Sequence, residues 1–309
     1  MKRFLKRLLL FVIPMLLVAI GVALVSKKMV NSKPVFQLAK SVHSLILGHS
    51  QPECAFNDSL ISNIKNMAQG GEAYFYTYQK IKKLVPENPQ IKTVYLSFSN
   101  NQIEPRMDEW TYDDEHVGNY FPKYAAQLDG EDYTLLLQHN YKAVLSGELK
   151  ALKNNLTFLA KGETNFLSNN NWGGYLYLKR NKLDSIIKVN FIRTIKKEFS
   201  DSVSTINVNY LEKIVEFCQQ KNVKIIFYRT PVHPILFNEY DEQKFQNLRK
   251  QKFAQIPFLD FHNFKLTHDE MGDFDHLNYK GARKFSIYFE EFIKKHKIES
   301  FIRVLEAKS

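Results

Sequence analysis

A serine that attacks an acyl carbon needs a turn that presents its hydroxyl, a base that takes its proton and a carboxylate that holds the base. The stretch Leu45-Ile46-Leu47-Gly48-His49-Ser50 offers the first of these. A short apolar run ends in Gly and then Ser, which is how a buried parallel strand delivers a hydroxyl to the carboxyl edge of a sheet. Gly48 permits the sharp turn. Pro52 suits the start of a helix, because its missing N–H is not needed in the first turn. A serine placed there lies near free backbone N–H groups, which favour negative charge. Taken alone, the same stretch also describes an ordinary strand end.

The base and its carboxylate come from the far end of the chain. Asp273-Phe274-Asp275-His276-Leu277-Asn278-Tyr279-Lys280-Gly281-Ala282 places an Asp three residues before a His and then opens a helix. The plainer reading of this loop is a polar helix cap with Asn278 as the capping residue. Asp275 is the rival carboxylate, but neighbours in sequence rarely point the right way to share a hydrogen bond. His233 is the rival base; its neighbours Pro231 and Pro234 describe a rigid turn instead. His49, His116, His139, His262 and His268 stand in no partner pattern.

An early Gly-x-Ser and a late Asp-x-x-His-x-Asn-x-x-Gly together resemble the SGNH/GDSL hydrolase family, over about residues 40 to 295. The resemblance implies that Ser50 is the nucleophile and that Asp273 and His276 complete a triad. It implies a three-layer α/β sandwich with a mostly parallel, flavodoxin-like central sheet. It also implies oxyanion donors from the nucleophile's own N–H, a Gly after the second strand and an Asn after the third. Gly70-Gly71 and Asn100-Asn101 fall at those places. Gly71 is chosen because it directly precedes the next helix, and Asn101 by the family's Gly-x-Asn spacing with Ser99 in the Gly place. This chain reads Gly-His-Ser where many members read Gly-Asp-Ser, and the middle residue is not the nucleophile. The implied activity is that of a serine esterase or O-acyltransferase on an acylated cell-envelope glycan or polysaccharide, with a membrane acyltransferase as a possible partner. The competing class is a non-catalytic protein that keeps the fold to bind a polymer or a membrane partner.

The remaining elements must position these groups. Met1–Arg7 carries Lys2, Arg3, Lys6 and Arg7, and Leu8–Ser26 then runs without a charge. At about 1.5 Å per residue such a run is close to the roughly 30 Å hydrocarbon core of a bilayer. The basic flank predicts a cytoplasmic amino terminus, although Lys27 and Lys28 weaken the asymmetry. The run is longer than a usual signal core and no Ala-x-Ala follows, so an uncleaved anchor is expected. The expected organisation is leader and transmembrane anchor over 1–28, a tether over 29–43 and the hydrolase-like domain over 44–300. The expected site is a bacterial inner membrane, with the domain facing the periplasm or cell exterior.

Within the domain, strands are expected near 44–48, 64–68 and 92–98, with helices near 53–63 and 73–84 between them. That alternation describes a parallel α/β sheet. Residues 105–204 break the rhythm with three helical stretches and the polar loop Ser168–Tyr175. They are read as a helical insertion, either a lid or a side layer. The rhythm returns with a helix near 206–221, strands near 223–228 and 258–261, and a closing helix from Tyr279.

Composition bounds the rest. The 309 residues are 44% hydrophobic and 24% charged, which describes a globular chain. The net charge of +11 is spread without a long basic run, which argues for a generally basic surface and against a nucleic-acid footprint. Cys54 and Cys218 are expected to be buried thiols. With no His-Glu-x-x-His, Cys-x-x-Cys or phosphate loop, no metal and no nucleotide cofactor is expected.

Overall fold

The computed structural model describes residues 1–32, 36–162, 172–180, 183 and 201–296. In chain order the elements are α1 (Lys2–Ser32), β1 (Ser44–Leu47), α2 (Ser50–Ala55), β2 (Ile64–Asn66), α3 (Tyr74–Glu87) and β3 (Thr93–Ser97). Then come α4 (Glu109–Tyr112), α5 (Asp114–Tyr124), α6 (Gly130–Ala160), α7 (Thr205–Gln220) and β4 (Lys224–Arg229). The chain closes with α8 (Glu239–Lys252), β5 (Phe258–Asp260) and α9 (Tyr279–His296).

It divides into two units, one of residues 38–111 and 171–309, the other of residues 1–37 and 112–170. The stretch expected to insert as one piece, 105–204, is therefore shared between them. Part of its polar loop, Ser168 to Asn171, lies outside the described residues.

The first unit is built on a five-stranded sheet, all parallel, in the order β2-β1-β3-β4-β5. Its central strands read as apolar runs, Leu45-Ile46-Leu47 and Ile225-Ile226-Phe227-Tyr228, and these residues are buried, as strands covered on both faces must be. β1 lies between β2 and β3, so the chain reverses its direction of winding beside the strand that leads to Ser50. In open α/β sheets a crevice forms at the carboxyl edge at such a point. Phe56, Tyr228, Phe261, Phe285 and Phe289 pack into one core cluster, with Phe56 edge-on to Tyr228 at 5.3 Å and to Phe289 at 4.9 Å. That cluster fixes α2 and α9, and hence both ends of the candidate triad.

The second unit holds α1, α5 and α6. α1 is 31 residues long, with a mean hydropathy of 3.0 over its most apolar window and none of that window buried, and is long and apolar enough to cross a membrane. It continues to Ser32, so the expected tether begins as helix. α6 turns sharply at Asn140, whose φ of −153° and ψ of 68° are not helical. The Asn140 side chain accepts the N–H of Ala143 at 3.1 Å and donates to Tyr112 O and Asp114 Oδ1 at 2.9 Å each, and so caps the second arm of the helix. The bend brings Tyr133 of the first arm onto Glu148 of the second. Lys27, just past the apolar run of α1, bonds to both, with 2.6 Å to Glu148. Ser26 and Val30 of α1 are buried.

Candidate active site

Gly48 makes the turn from β1 to α2 with φ +143°. A Cβ there would lie 2.5 Å from the Cβ of Ser97 and 2.9 Å from Cγ of Pro52. No other residue fits between the two strands and the helix, so the apolar-Gly-x-Ser pattern has a steric cause. Ser50 is the first residue of α2, whose N-cap is His49. The helix therefore starts at Ser50 and ends at Ala55, earlier than the expected 53–63, because Asn57 caps a separate short turn with its own side chain. At the first helical position the Ser50 N–H has no acceptor within the helix.

The Asp273–His276 loop closes on itself. Gly272 N–H donates to His276 O at 2.8 Å, and Met271 pairs antiparallel with Leu277. Asp273 Oδ1 accepts the N–H groups of Asp275 and His276 at 2.9 Å each and the His276 Nδ1–H at 2.8 Å. An ionised carboxylate can only accept, so Nδ1 carries the ring proton and Nε2 is left to accept. Ser50 Oγ donates to that Nε2 at 2.8 Å. Ser50, His276 and Asp273 thus form one hydrogen-bonded line, although the serine and the histidine lie 226 residues apart in sequence. The capping reading of the loop holds at the same time. Asn278 Oδ1 accepts the Lys280 and Gly281 N–H groups, and its amide donates to Asp269 O and Met271 O.

Burial works against a charge on Asp273. The hydrogen bond from His276, the Asp275 N–H and the Arg180 guanidinium outweigh it, and the carboxyl lies below the usual carboxylate range. Arg180 bonds to Asp273 Oδ2, the oxygen that His276 does not use. Arg180 was not visible as a site residue in sequence. It arrives on the segment 172–180, which is stitched to the site by main-chain bonds. Gly174 N–H donates to Ala68 O at 3.0 Å, Leu176 N–H to Glu53 O at 2.9 Å, and Leu178 O accepts the Tyr279 N–H at 2.9 Å.

Of the two glycines after β2, Gly70 is the one packed against the serine. A Cβ on it would lie 3.5 Å from the Ser50 Cβ and 2.9 Å from Glu53 Oε2. Gly71, the residue chosen from sequence, takes φ +75° and makes the turn into α3. The Gly70 N–H donates to Glu53 Oε2 at 3.0 Å. Glu53 lies three residues beyond Ser50, one turn along the same helix. Burial pushes its pKa up to about 6, against the Gly70 N–H and the charge of Lys80. The glycine loop is held by a fully buried ion pair, Lys80 Nζ to Glu72 Oε2 at 2.8 Å, with Lys80 also donating to Met67 O at 2.6 Å.

Asn101 follows β3 in a 3₁₀ turn and accepts from the Ser99 hydroxyl at 2.7 Å. Its neighbour Asn100 is taken up by Arg229 and Glu242, at 2.8 and 3.1 Å. A cavity of about 640 Å³ is lined by Asn101, Gln51, Arg106, Thr230, Phe237 and Asp275, among others. Ser50 and His276 do not line it; their chain neighbours Gln51 and Asp275 do, joined at 3.4 Å. The cavity therefore opens beside the triad. Burial holds the Asp275 carboxyl above the usual carboxylate range. The rival base His233 lines this cavity and lies tilted against His268 and Phe274, with ring centres 5.4 and 5.3 Å apart, while the base bonded to Ser50 is His276.

His49 is fully buried. Burial, and then the nearby His276, push its pKa down to about 3, so its ring is neutral. Its Nε2 has no hydrogen-bond partner among the described residues. Cys54 and Cys218 are buried free thiols, each pushed up to about 12 by burial. Among the described residues no group of three or more His, Cys, Asp or Glu side chains could hold a metal ion.

Compared with known proteins, the chain matches one family model, that of a domain of unknown function, over residues 167–297. That span covers Arg180, Asp273 and His276 but not Ser50. No curated protein matches the chain.

Proposed function

We propose that the protein is an SGNH-type serine hydrolase or O-acyltransferase that works through Ser50, His276 and Asp273. The observation that carries this reading is the line Ser50 Oγ–His276 Nε2 and His276 Nδ1–Asp273 Oδ1, each 2.8 Å. The sheet order 2-1-3-4-5 supports a flavodoxin-like three-layer arrangement, with the nucleophile just past the carboxyl end of the interior strand β1. Ser50 Oγ attacks an ester carbonyl while His276 Nε2 takes its proton. The tetrahedral oxyanion would be held by the Ser50 N–H, with Asn101 after β3 and Gly70, packed against the Ser50 Cβ, as the further donors, the Gly70 N–H first leaving Glu53 Oε2. His276 returns the proton to the leaving alcohol, and Asp273 holds the imidazolium throughout. Water or a sugar hydroxyl then releases the acyl group.

The substrate we propose is an acylated envelope glycan or polysaccharide. The anchor α1 would hold the domain on the outer side of a bacterial inner membrane, where a membrane acyltransferase is a fitting partner. The non-catalytic reading draws on one observation: the Gly70 N–H is already bonded to Glu53. A fluorophosphonate probe separates the two. Labelling of the full chain that is lost in Ser50→Ala and His276→Ala, with acetyl release from acetylated glycans falling by several orders of magnitude, is the expected result. Absence of labelling of the folded wild-type chain sinks the catalytic reading.

A further inference from the structure

The second arm of α6 carries an apolar stripe that no other described residue of its unit covers. Tyr141, Leu145, Leu149 and Leu156 are 57%, 58%, 70% and 44% exposed. At 3.6 residues per turn they lie on one face of the arm, and Leu152, half-buried, falls on the same line. The opposite face, with Val144, Gly147, Ala151, Asn155 and Phe158, is buried. Lys142, Lys150 and Lys153, all exposed, flank the stripe on one side. Glu148 borders it on the other.

Glu148 fixes where this stripe lies. It accepts from Lys27 at 2.6 Å, and Lys27 is the first charge after the run Leu8–Ser26. Lys27 therefore marks the level at which α1 leaves the hydrocarbon, and Glu148 sits at that level. Leu149 is one residue from Glu148 and Leu145 three, which is about 2 and 5 Å along the helix axis. Whatever the tilt of the arm, those leucines stay within the depth of a headgroup layer of Glu148. Leucines with tyrosine on one face and lysines along its flank are the composition of a helix that lies in a membrane interface.

We propose that the second arm of α6 lies in the outer interface of the same bilayer that α1 crosses, with Tyr141, Leu145, Leu149 and Leu156 among the acyl chains and its lysines at the anionic headgroups. The proposal rests on the reading of α1 as a membrane span and is independent of the reading of Ser50. It makes α6 a second membrane contact, which limits rotation about the anchor.

The test uses the full chain in nanodiscs of phosphatidylcholine and phosphatidylglycerol. Nitroxide labels are placed one at a time by Leu145→Cys, Leu149→Cys, Lys150→Cys and Leu16→Cys. The native thiols are buried and stay in place, with the unsubstituted protein as the blank. Labels at 145 and 149 are expected to collide with oxygen and to be shielded from a water-soluble nickel chelate, at a depth shallower than Leu16. The label at 150 is expected to show the reverse. Labels at 145 and 149 as open to nickel as the one at 150, with Leu16 in hydrocarbon, overturn the proposal and leave the anchor standing. Shielding of 145 and 149 from both reagents means they pack on protein, which also overturns it. A Leu16 label open to nickel removes the anchor and this proposal together.

Discussion

Glu53 is the residue on which the site's electrostatics turn. A carboxyl raised to about 6 by burial adds stability while protonated, and that contribution is lost as the pH rises through 6. Glu53→Gln keeps an acceptor for the Gly70 N–H and removes the charge. The variant is therefore expected to be more stable than the parent at pH 7.5 by about 1 kcal/mol, after allowance for partial exposure. The difference should close as the pH falls below about 4.5, the ordinary glutamate value. Denaturant midpoints at the two pH values measure it; an unchanged gap removes the burial argument. At this scale the sequence spoke unevenly. Asp273-x-x-His276 was legible because one short turn holds carboxylate and ring together. That Gly70 and not Gly71 lies against Ser50 was not legible, because which of two adjacent glycines turns to positive φ depends on where Ser50 and Glu53 sit. Arg180 was invisible, since it reaches Asp273 from a segment 93 residues earlier in the chain.

Among the elements, the loop between β2 and α3 has a cause that can be tested. Lys80 and Glu72 are both fully buried, so each is the other's main compensation for lost water. Lys80→Ala is expected to cost about 3–5 kcal/mol, because it leaves the Glu72 carboxylate buried without its cation. The double variant Glu72→Gln, Lys80→Met should recover most of that loss, read by urea unfolding. A double variant as unstable as the single one would mean that volume, and not charge, is what the loop needs. The alternation of strands and helices was legible because buried parallel strands are apolar throughout. The extent of α2 was not, because its end is set by the Asn57 side chain. Nor was the bend of α6, where Asn140 leaves one arm and caps the next within a single residue.

For the whole molecule, the prediction concerns topology. Lys2, Arg3, Lys6 and Arg7 precede the apolar run, and α1 is long enough to cross a bilayer. Protease added to intact spheroplasts is expected to cut the chain beyond Lys28 and leave the first residues protected. Full protection of the chain until lysis would place the domain on the inner side. A helix long and apolar enough to cross a bilayer was legible from one uncharged run. The division into two units was not, since residues 112–170 and the amino-terminal helix are far apart in sequence and share no repeat or motif.

The separation of Ser50 from His276 also has a meaning in time. The ribosome makes the serine 226 residues before the histidine. At 5–20 residues per second that interval is roughly 10 to 45 s. Throughout it the nascent chain carries a hydroxyl with no base, as unreactive as any surface serine. Arg180 and its neighbours are made in the interval, and the histidine comes after them. The bond between Ser50 and His276 is thus one that can form only after all five strands of the sheet have been synthesised.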